Sequence, residues 1–511
     1  MAGSEAAAPV LIVGAGPTGL WLALWLTKLG IRVRIVDRAA EPGTTSRALA
    51  VHARTMEYGN QIGITRALVD AGVEVEALNF WAGGRRAARV PIRRIGEGDS
   101  PFPFPLILPQ DVHERLLIER LSGLGVEVER SIEVTRVEQN EQRVRVVLTR
   151  DGAEEVVDVA YLAGCDGASS TVRDQLGIGF PGGTYSGAFY VADVDASGPV
   201  VDGSVHVDIE DEDFAIVFPL QTGKRVRLVG ILRDELDRHR EMTFDDVRGK
   251  AIAHLQLDVT AVHWFSTYRV HHRVADRFRS GRVFLLGDAA HIHSPVGGQG
   301  MNTGIGDAVN LSWKLAAVLR ARAGESLLET YEPERIAFAR QLVATTDRAF
   351  TVVTASGGFA RTVRTRLMPA VVPTLARFTA MRRLAFRIIS QIRIEYRHST
   401  LSAGRAGSVH GGDRLPWVEL SPGVDNFAPL TSLHWQVHVY GEVHPDLQQA
   451  CAELRLALHR FEWMAKMAAA GLRRDAAYLI RPDGYVAFAD AAPDMDQLRS
   501  YLDRNRLTIA S

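Results

Sequence analysis

The stretch "PVLIVGAGPTGLWLALWLTKLGIRVRIVD", residues 9–37, decides the fold of this chain. It opens on a short apolar run and passes through a glycine turn. A helix-length segment follows and stops at Gly30, a glycine placed as a C-cap. It leaves through the alternating, β-branched "IRVRIVD". Strand, turn, helix and strand within about 30 residues make one βαβ unit. Gly14, Gly16 and Gly19 stand in G-x-G-x-x-G spacing, with Pro17 and Thr18 between them. In that spacing the first glycine makes the tight turn and the second lets backbone approach a pyrophosphate. The third lets helix pack on strand. The helix start supplies free N–H groups and the positive end of a dipole. Asp37 ends the second strand, where an acid accepts from a ribose hydroxyl. An ordinary strand–turn–helix corner would leave Asp37 unexplained, so the unit reads as a dinucleotide site.

The bulk numbers fit a globular protein of several domains. The chain has 511 residues, 46% hydrophobic and 23% charged, and a formal net charge of −1. That balance gives no global field for nucleic acid or an acidic partner. Two cysteines, Cys165 and Cys451, are too few for a disulfide framework or a cysteine-rich metal site, and no metal is expected. "MAGSEAAAPV" has no basic n-region, and "LWLALWL" is too short to span a bilayer. The expectation is a cytoplasmic protein without stable membrane insertion.

Further along, helices are expected over "TRALVDAG" and "HERLLIERLSGL", and period-two strands over residues 126–149 with an Asp151-Gly152 turn. Residues 181–280 are β-rich, with "SVHVDI", "FAIVFPL" and "RVRLVGIL" alternating strongly, and read as a sheet inserted into the nucleotide domain. In "FAIVFPL", Phe214, Ile216 and Phe218 share a face that serves either the core or a substrate wall. Residues 325–400 read as helices. Nine arginines and one acid, Glu395, lie between Arg361 and Arg397, a solvated basic face in preference to an anion or membrane site. From about 404 the pattern becomes a small α/β unit: strand "HWQVHVYG", helix "PDLQQACAELRLALHRF", hairpin "AYLIRPDGYVAFA" and a last helix. The division expected is 1–180 and 281–400 for a cofactor domain in two parts, 181–280 for the inserted sheet, and 401–511 for the C-terminal unit.

A second glycine loop, "GDAAHIHSPVGGQGMNTGIGDAVNLSWKLA", occupies residues 287–316. It follows the buried strand "GRVFLLGD" and opens another helix. Together with "GAGPTG" (14–19) and "CDGASSTVR" (165–173), this loop resembles the single-component, FAD-dependent aromatic hydroxylases, the group of para-hydroxybenzoate hydroxylase and phenol hydroxylase. The resemblance covers about residues 9–400. "LIRPDGYVAF" resembles the end of the thioredoxin-like domain of the phenol hydroxylase branch. No C-x-x-C occurs there, so that domain would be structural. The architecture implied is α/β: a Rossmann-type FAD-binding domain, an inserted β-sheet substrate domain and a C-terminal thioredoxin-like domain.

The resemblance also implies roles. Asp37 would bind the adenosine ribose, Arg38 would lie beside the adenine, and Val134 would touch the adenine through its backbone. Gln110 would contact FAD. Arg47 would lie near the pyrophosphate or ribityl chain, and from its own stretch it reads equally as a surface arginine. Asp166, with Gly167, would serve FAD and NAD(P)H binding. Arg173 would pair with Asp166, a phosphate or a structural partner. Asp288 would accept from a ribityl hydroxyl, with helix capping as the alternative. Pro295 would border the flavin, and Gly298, Gly300, Met301 and Asn302 would lie against its ring.

The activity implied is aromatic hydroxylation with FAD, NADPH or NADH, and O2, through a C4a-hydroperoxyflavin. The partners would be a small phenolic or polyketide-like aromatic substrate and O2, with no nucleic acid, in a monomer or homodimer. The alternative is an FAD-dependent dehydrogenase or reductase of the same fold. Only one G-x-G-x-x-G occurs, so a separate nicotinamide domain is not expected. The phenol hydroxylase aspartate before the "RTME" helix is replaced by Leu49, and His52, His206, His263 and Tyr268 offer no distinct base. No catalytic residue is assigned.

Overall fold

In a computed structural model of the chain, residues 8–44, 48–208, 215–220, 223–232, 242–247, 250–294, 296–354, 371, 374 and 377–508 are described. Arg47, Phe214, Pro295 and the arginines at 361, 364 and 366 lie outside them.

The opening unit forms strand β1 (Val10–Val13), helix α1 (Pro17–Lys28) and strand β2 (Val33–Val36). Every α1 residue from Gly19 to Leu26 is buried, including Trp21 and Trp25. A helix apolar all round must be enclosed by neighbours. The enclosing elements are the sheet, helix Gln110–Ser122 and helix Gly300–Leu319. Strands β1 and β2 belong to a six-stranded sheet. Its order is Arg279–Ser280, Val283–Leu285, Tyr161–Gly164, β1, β2, Val128–Glu129. All neighbours in it are parallel except the first pair.

Register places the site. Val13 is level with Val36 and with Gly164, and Gly164 with Leu285. The residues that follow these strand ends are Gly14, Asp37, Cys165-Asp166 and Leu286-Gly287-Asp288. Four segments far apart in sequence therefore meet at one carboxyl edge, where ligands of open α/β sheets bind.

A separate eight-stranded sheet begins near this edge, at the strand His291–Ile292 that follows the turn Gly287–Ala289. Its order is His291–Ile292, Asp258–Val274, Gly182–Ser197, Arg225–Leu232, Ala215–Pro219, Val205–Asp208, Ala77–Ala82, Arg85–Pro91. The sequence reading placed this sheet within residues 181–280. The structure adds the hairpin of residues 77–91, turned at Gly83 and Gly84, both with positive φ. That hairpin pairs parallel to Val205–Asp208. Its burial alternates only in part, so the pattern carried little signal.

The C-terminal unit is a six-stranded mixed sheet. Strand Gln436–Tyr440 runs parallel to Ala457–Phe461 and antiparallel to Ala477–Ile480, which pairs with Val486–Asp490. The helix expected over residues 445–461 ends at Glu453, and its last part is the strand Ala457–Phe461. Arg455, at φ 51°, breaks the helix and turns the chain. In the 325–400 segment the described helices are Ser326–Glu329, Tyr331–Thr354 and Thr379–Ile389. Within its described part, Arg387 pairs with Asp99 at 2.5 Å and Arg397 with Asp413 at 2.6 Å.

Buried ion pairs lock the C-terminal unit to the rest. Arg481 meets Glu334 at 2.9 Å and Asp483 at 2.6 Å, and Lys314 meets Glu334 at 2.8 Å. Glu57 accepts from Arg54 and Arg414, and Trp313 Nε1 donates to Asp483 at 3.0 Å. Such pairs are conditional: removing one partner strands a buried charge at a cost of about 3–5 kcal/mol. Among the described residues no helix is long and apolar enough to cross a membrane.

Candidate active site at the carboxyl edge of the sheet

Both glycine loops reach this edge. The first is held by backbone. Gly14 N donates to Val36 O at 2.8 Å, and Cys165 N donates to Val13 O at 2.7 Å. Gly14 has φ 102°, and a Cβ there would strike the carbonyl of Cys165. A Cβ on Gly19 would strike the carbonyl of Gly14. A Cβ on Gly16 meets nothing within 4 Å, and no side chain caps the start of α1. Gly16 thus borders open space at an uncapped helix start, the setting a pyrophosphate needs.

Asp37 lies beside that opening. Its Oδ2 accepts from Ala15 N at 2.6 Å and its Oδ1 from Ala39 N at 2.7 Å. The carboxylate thereby ties the glycine turn to the end of β2. Each oxygen keeps lone-pair capacity for a hydroxyl donor. Arg38 is exposed next to it. Ile132 N donates to Asp37 O at 3.0 Å, which brings the strand containing Val134 to the same end. Val134 buries its side chain.

The Asp166–Gly167 turn is braced from within. Asp166 accepts from Ser170 Oγ at 2.6 Å and Val172 N at 3.0 Å. Burial pushes its carboxyl up, against these bonds. Arg173 donates to Ala289 O at 3.2 Å and Ala168 O at 3.1 Å, and lies 4.1 Å over the Phe180 ring. The Arg173 geometry is structural: it ties the 166 turn to the 288 turn. Asp288 is exposed within the single turn Gly287–Ala289.

The second loop is anchored by side chains. Asn302 Nδ2 donates to Ala50 O and Gly298 O, both at 2.9 Å. Asn302 Oδ1 accepts from His52 N at 2.9 Å and Thr55 Oγ1 at 2.8 Å. The Asn302 amide is therefore spent on docking the loop to helix α2 (Ala53–Ile62). His52 Nε2 lies 2.9 Å from Gly297 O, so that nitrogen carries the proton. Burial pushes the imidazole down to about 4, against the carbonyls of Gly297 and Gly298, so it is neutral at neutral pH. Gly298 has φ 61°, and a Cβ there would lie 2.7 Å from Ala50 Cβ. Gly300, by contrast, has only ordinary contacts with His293 at 3.6 Å. Met301 packs against the main core. No side chain caps the start of helix Gly300–Leu319.

The two loops touch. A Cβ on Gly287 would lie 2.5 Å from Thr18 Oγ1, and one on Gly304 would strike the same oxygen. Gln110 N donates to Ala48 O at 3.1 Å, which places Gln110 beside the segment that Asn302 holds. Its amide donates to Glu114 at 2.7 Å, and burial raises the Glu114 carboxyl to about 6.

A buried anchor behind the second loop escaped the sequence reading. Asp307 accepts from Gly287 N at 3.0 Å, His291 Nε2 at 2.8 Å and Arg335 Nε at 2.6 Å. Burial works against its charge, and Arg335 and His291 outweigh burial, leaving the carboxyl below its ordinary range. The available signal was an acid inside an otherwise apolar helix, in "GIGDAVNLSWKLA".

Two uncapped helix starts, one open glycine and carboxylates at two strand ends fit a long, flat, phosphorylated cofactor. A family model described as FAD binding domain matches residues 7–346, and one described as aromatic-ring hydroxylase, C-terminal, matches 410–505. The chain belongs to the FAD-dependent aromatic hydroxylases. Among relatives of this hydroxylase, 6-methylpretetramide 4-monooxygenase of Streptomyces rimosus is 38% identical over 429 residues, 80% of this chain and 74% of that one. The solved structure of the flavin-dependent monooxygenase PieE, in complex with FAD and substrate, matches with TM-score 0.80 at 25% identity. That match covers 97% of this chain and 98% of PieE. OxyS, an anhydrotetracycline hydroxylase from Streptomyces rimosus, matches with TM-score 0.77 at 30% identity, over 96% and 98% of the two chains. The hydroxylase is a flavoprotein monooxygenase with FAD as its cofactor.

The remaining polar candidates have structural partners. His206 accepts from Trp81 Nε1 at 2.9 Å and pairs with Asp202 at 2.8 Å. His263 pairs with Asp195 at 2.8 Å. Tyr268 stacks on Phe189 at 5.6 Å. Leu49 lies in an apolar cluster with Phe80, Val90, Val205 and Val207, joined by half-buried Ile216 and Phe218.

Proposed function

We propose that the hydroxylase acts on a phenolic or polyketide-like aromatic ring, with NADPH or NADH as reductant and O2 as oxygen donor. The observation that carries this substrate class is the apolar cluster around Leu49. The segment that carries Leu49 also carries Ala50 and His52, which hold the second glycine loop. Apolar packing beside that loop suits a sizeable ring rather than a small carboxylate-bearing one. The similarity to enzymes of 6-methylpretetramide and anhydrotetracycline supports the same class.

FAD, when bound, supplies the hydride acceptor and the oxygen activation. The chain's residues bind, orient and exclude water. The first loop, with Gly14, Gly16, Pro17, Thr18 and Gly19, takes the pyrophosphate on backbone N–H groups. Asp37 accepts from the adenosine ribose, with Arg38 and Val134 beside the adenine. Asp288 accepts from the ribityl chain, and Gln110, Asp166 and Arg47 complete the cofactor's surroundings, Asp166 also serving NAD(P)H. The second loop, from Pro295 through Gly298, Gly300, Met301 and Asn302, lies along the ring. The uncapped start of its helix stabilises negative charge on the reduced form. His52 is a fixed donor: Nε2 keeps its proton on Gly297 O. The apolar cluster keeps water from the reacting centre.

The domain reading follows: a Rossmann-type FAD domain from 1–180 and 281–400, the inserted sheet of 181–280 with the 77–91 hairpin, and a thioredoxin-like unit from 401–511. Two free, buried cysteines suit a cytoplasmic setting, and we read the protein as a monomer or homodimer. The test is a panel of phenols and polycyclic phenols, scored for stimulated NAD(P)H oxidation and for isotopic oxygen from O2 in the product. Stimulated oxidation with labelled product is the expected result. Flavin reduction that returns all oxygen as peroxide across the panel would replace this reading with a dehydrogenase or reductase.

A further inference from the structure

A cavity of about 420 Å³ lies between the FAD domain and the C-terminal unit. Leu29, at the end of α1, and residues 313–322, at the end of helix Gly300–Leu319, form one wall. The glycine loops sit at the opposite ends of these same helices. At 1.5 Å per residue the 20-residue helix sets the cavity roughly 20–30 Å from the flavin end. The cavity is therefore separate from the cofactor edge.

Its lining has a definite chemistry. Trp313 and Trp435 meet edge to face at 5.6 Å, and Leu433 and Leu507 add apolar surface. Arg320, Arg322, Arg455, His434 and His459 are its charged or titratable members, and among the described residues no Asp or Glu lines it. No described carboxylate pairs with any of the three arginines. The cations feel one another: burial and then Arg322 push Arg320 down, and burial, Arg322 and Arg320 push His434 down. Arg320 has a structural task, since it donates to Leu29 O at the end of α1. Among the described residues no side-chain hydrogen bond or ion pair engages the guanidinium of Arg322 or Arg455, and Arg455 holds the left-handed conformation at φ 51°, a costly one for a side-chain-bearing residue.

We propose that this interdomain cavity is a second small-molecule site, built for a planar apolar anion such as an aromatic carboxylate. The tryptophans and leucines take the ring, and Arg322 and Arg455 take the carboxylate, where a guanidinium fork matches its two oxygens. The volume lies within the range of small-ligand pockets. A neutral aromatic would leave the cationic rim unanswered, and a small inorganic anion would leave the apolar walls unfilled.

Calorimetric titration of the FAD-loaded enzyme with naphthoate, and with uncharged naphthamide, tests this. One saturable naphthoate site is expected, unaffected by a saturating hydroxylation substrate, with naphthamide at least tenfold weaker. The double variant Arg322→Gln/Arg455→Gln should weaken naphthoate at least tenfold while leaving FAD content and substrate-stimulated NAD(P)H oxidation unchanged. Ala317→Phe, which fills the cavity and keeps every charge, should abolish naphthoate binding. Equal affinity for naphthamide, wild-type affinity in either variant, or displacement of naphthoate by the hydroxylation substrate would overturn the proposal.

Discussion

The two glycine loops look alike in sequence and differ in what holds them. In the first, Gly14 and Gly19 are pressed against backbone, and Gly16 alone faces open space. In the second, Gly298 is pressed against Ala50, Gly304 against Thr18, and the loop is pinned by Asn302, His52 and, from behind, Asp307. The first loop is a rigid corner of the sheet. The second is a segment docked onto α2 by side chains. Glycine thus serves two purposes in each loop, close packing and ligand access, and only the opposing atoms tell them apart.

The comparison breaks most visibly at Gly19. Gly19→Ala forces backbone apart at the strand–helix corner, a loss at or above the roughly 3 kcal/mol upper end of overpacking. The expected outcome is a strongly lowered thermal midpoint and no bound FAD; an unchanged midpoint would mean the corner is not rigid. His52 comes next, and it tests side-chain docking through pH. The unfolded imidazole titrates near 6.5 and the folded one near 4. Above pH 6.5 both forms are neutral. As pH falls from 6.5 to 4 the unfolded chain takes the proton first, so stability is lost, by about 3 kcal/mol in full. His113 and His438, also pushed down by burial, act in the same sense, so the readout is a difference. His52→Asn should flatten part of the acid limb in denaturant melts, and an unchanged limb would remove His52 from the account. Gly298→Val is smaller in stability, about 2 kcal/mol from left-handed strain. It should nevertheless release flavin, since the loop must shift from Ala50. Retention of full flavin absorbance would show that the loop tolerates displacement.

The dinucleotide unit was legible because its turn, helix and strand are contiguous and their glycines have steric reasons. The meeting of Asp37, Asp166 and Asp288 at one edge was legible only through the family resemblance, because parallel register joins segments that no local pattern links. The hairpin of residues 77–91 and the strand Ala457–Phe461 were missed for a related reason: pairing partners far away decide them. His52 and Asp307 carry their meaning in tertiary bonds to Gly297 and Arg335, invisible to spacing. For Asn302 the resemblance implied a place against the flavin ring, and in the structure its side chain docks the loop to the segment before α2. Of the inserted sheet's "FAIVFPL", Ile216 and Phe218 do line the Leu49 cluster.

Gly16 offers the most direct test of the claim that these loops hold one FAD between them. A Cβ at Gly16 meets no protein atom within 4 Å, so Gly16→Ala should leave the flavin-free protein's thermal midpoint unchanged. FAD titration of the same variant should show affinity at least tenfold weaker, because the added methyl group would occupy the proposed approach of the pyrophosphate. Wild-type FAD affinity in Gly16→Ala would contradict the account.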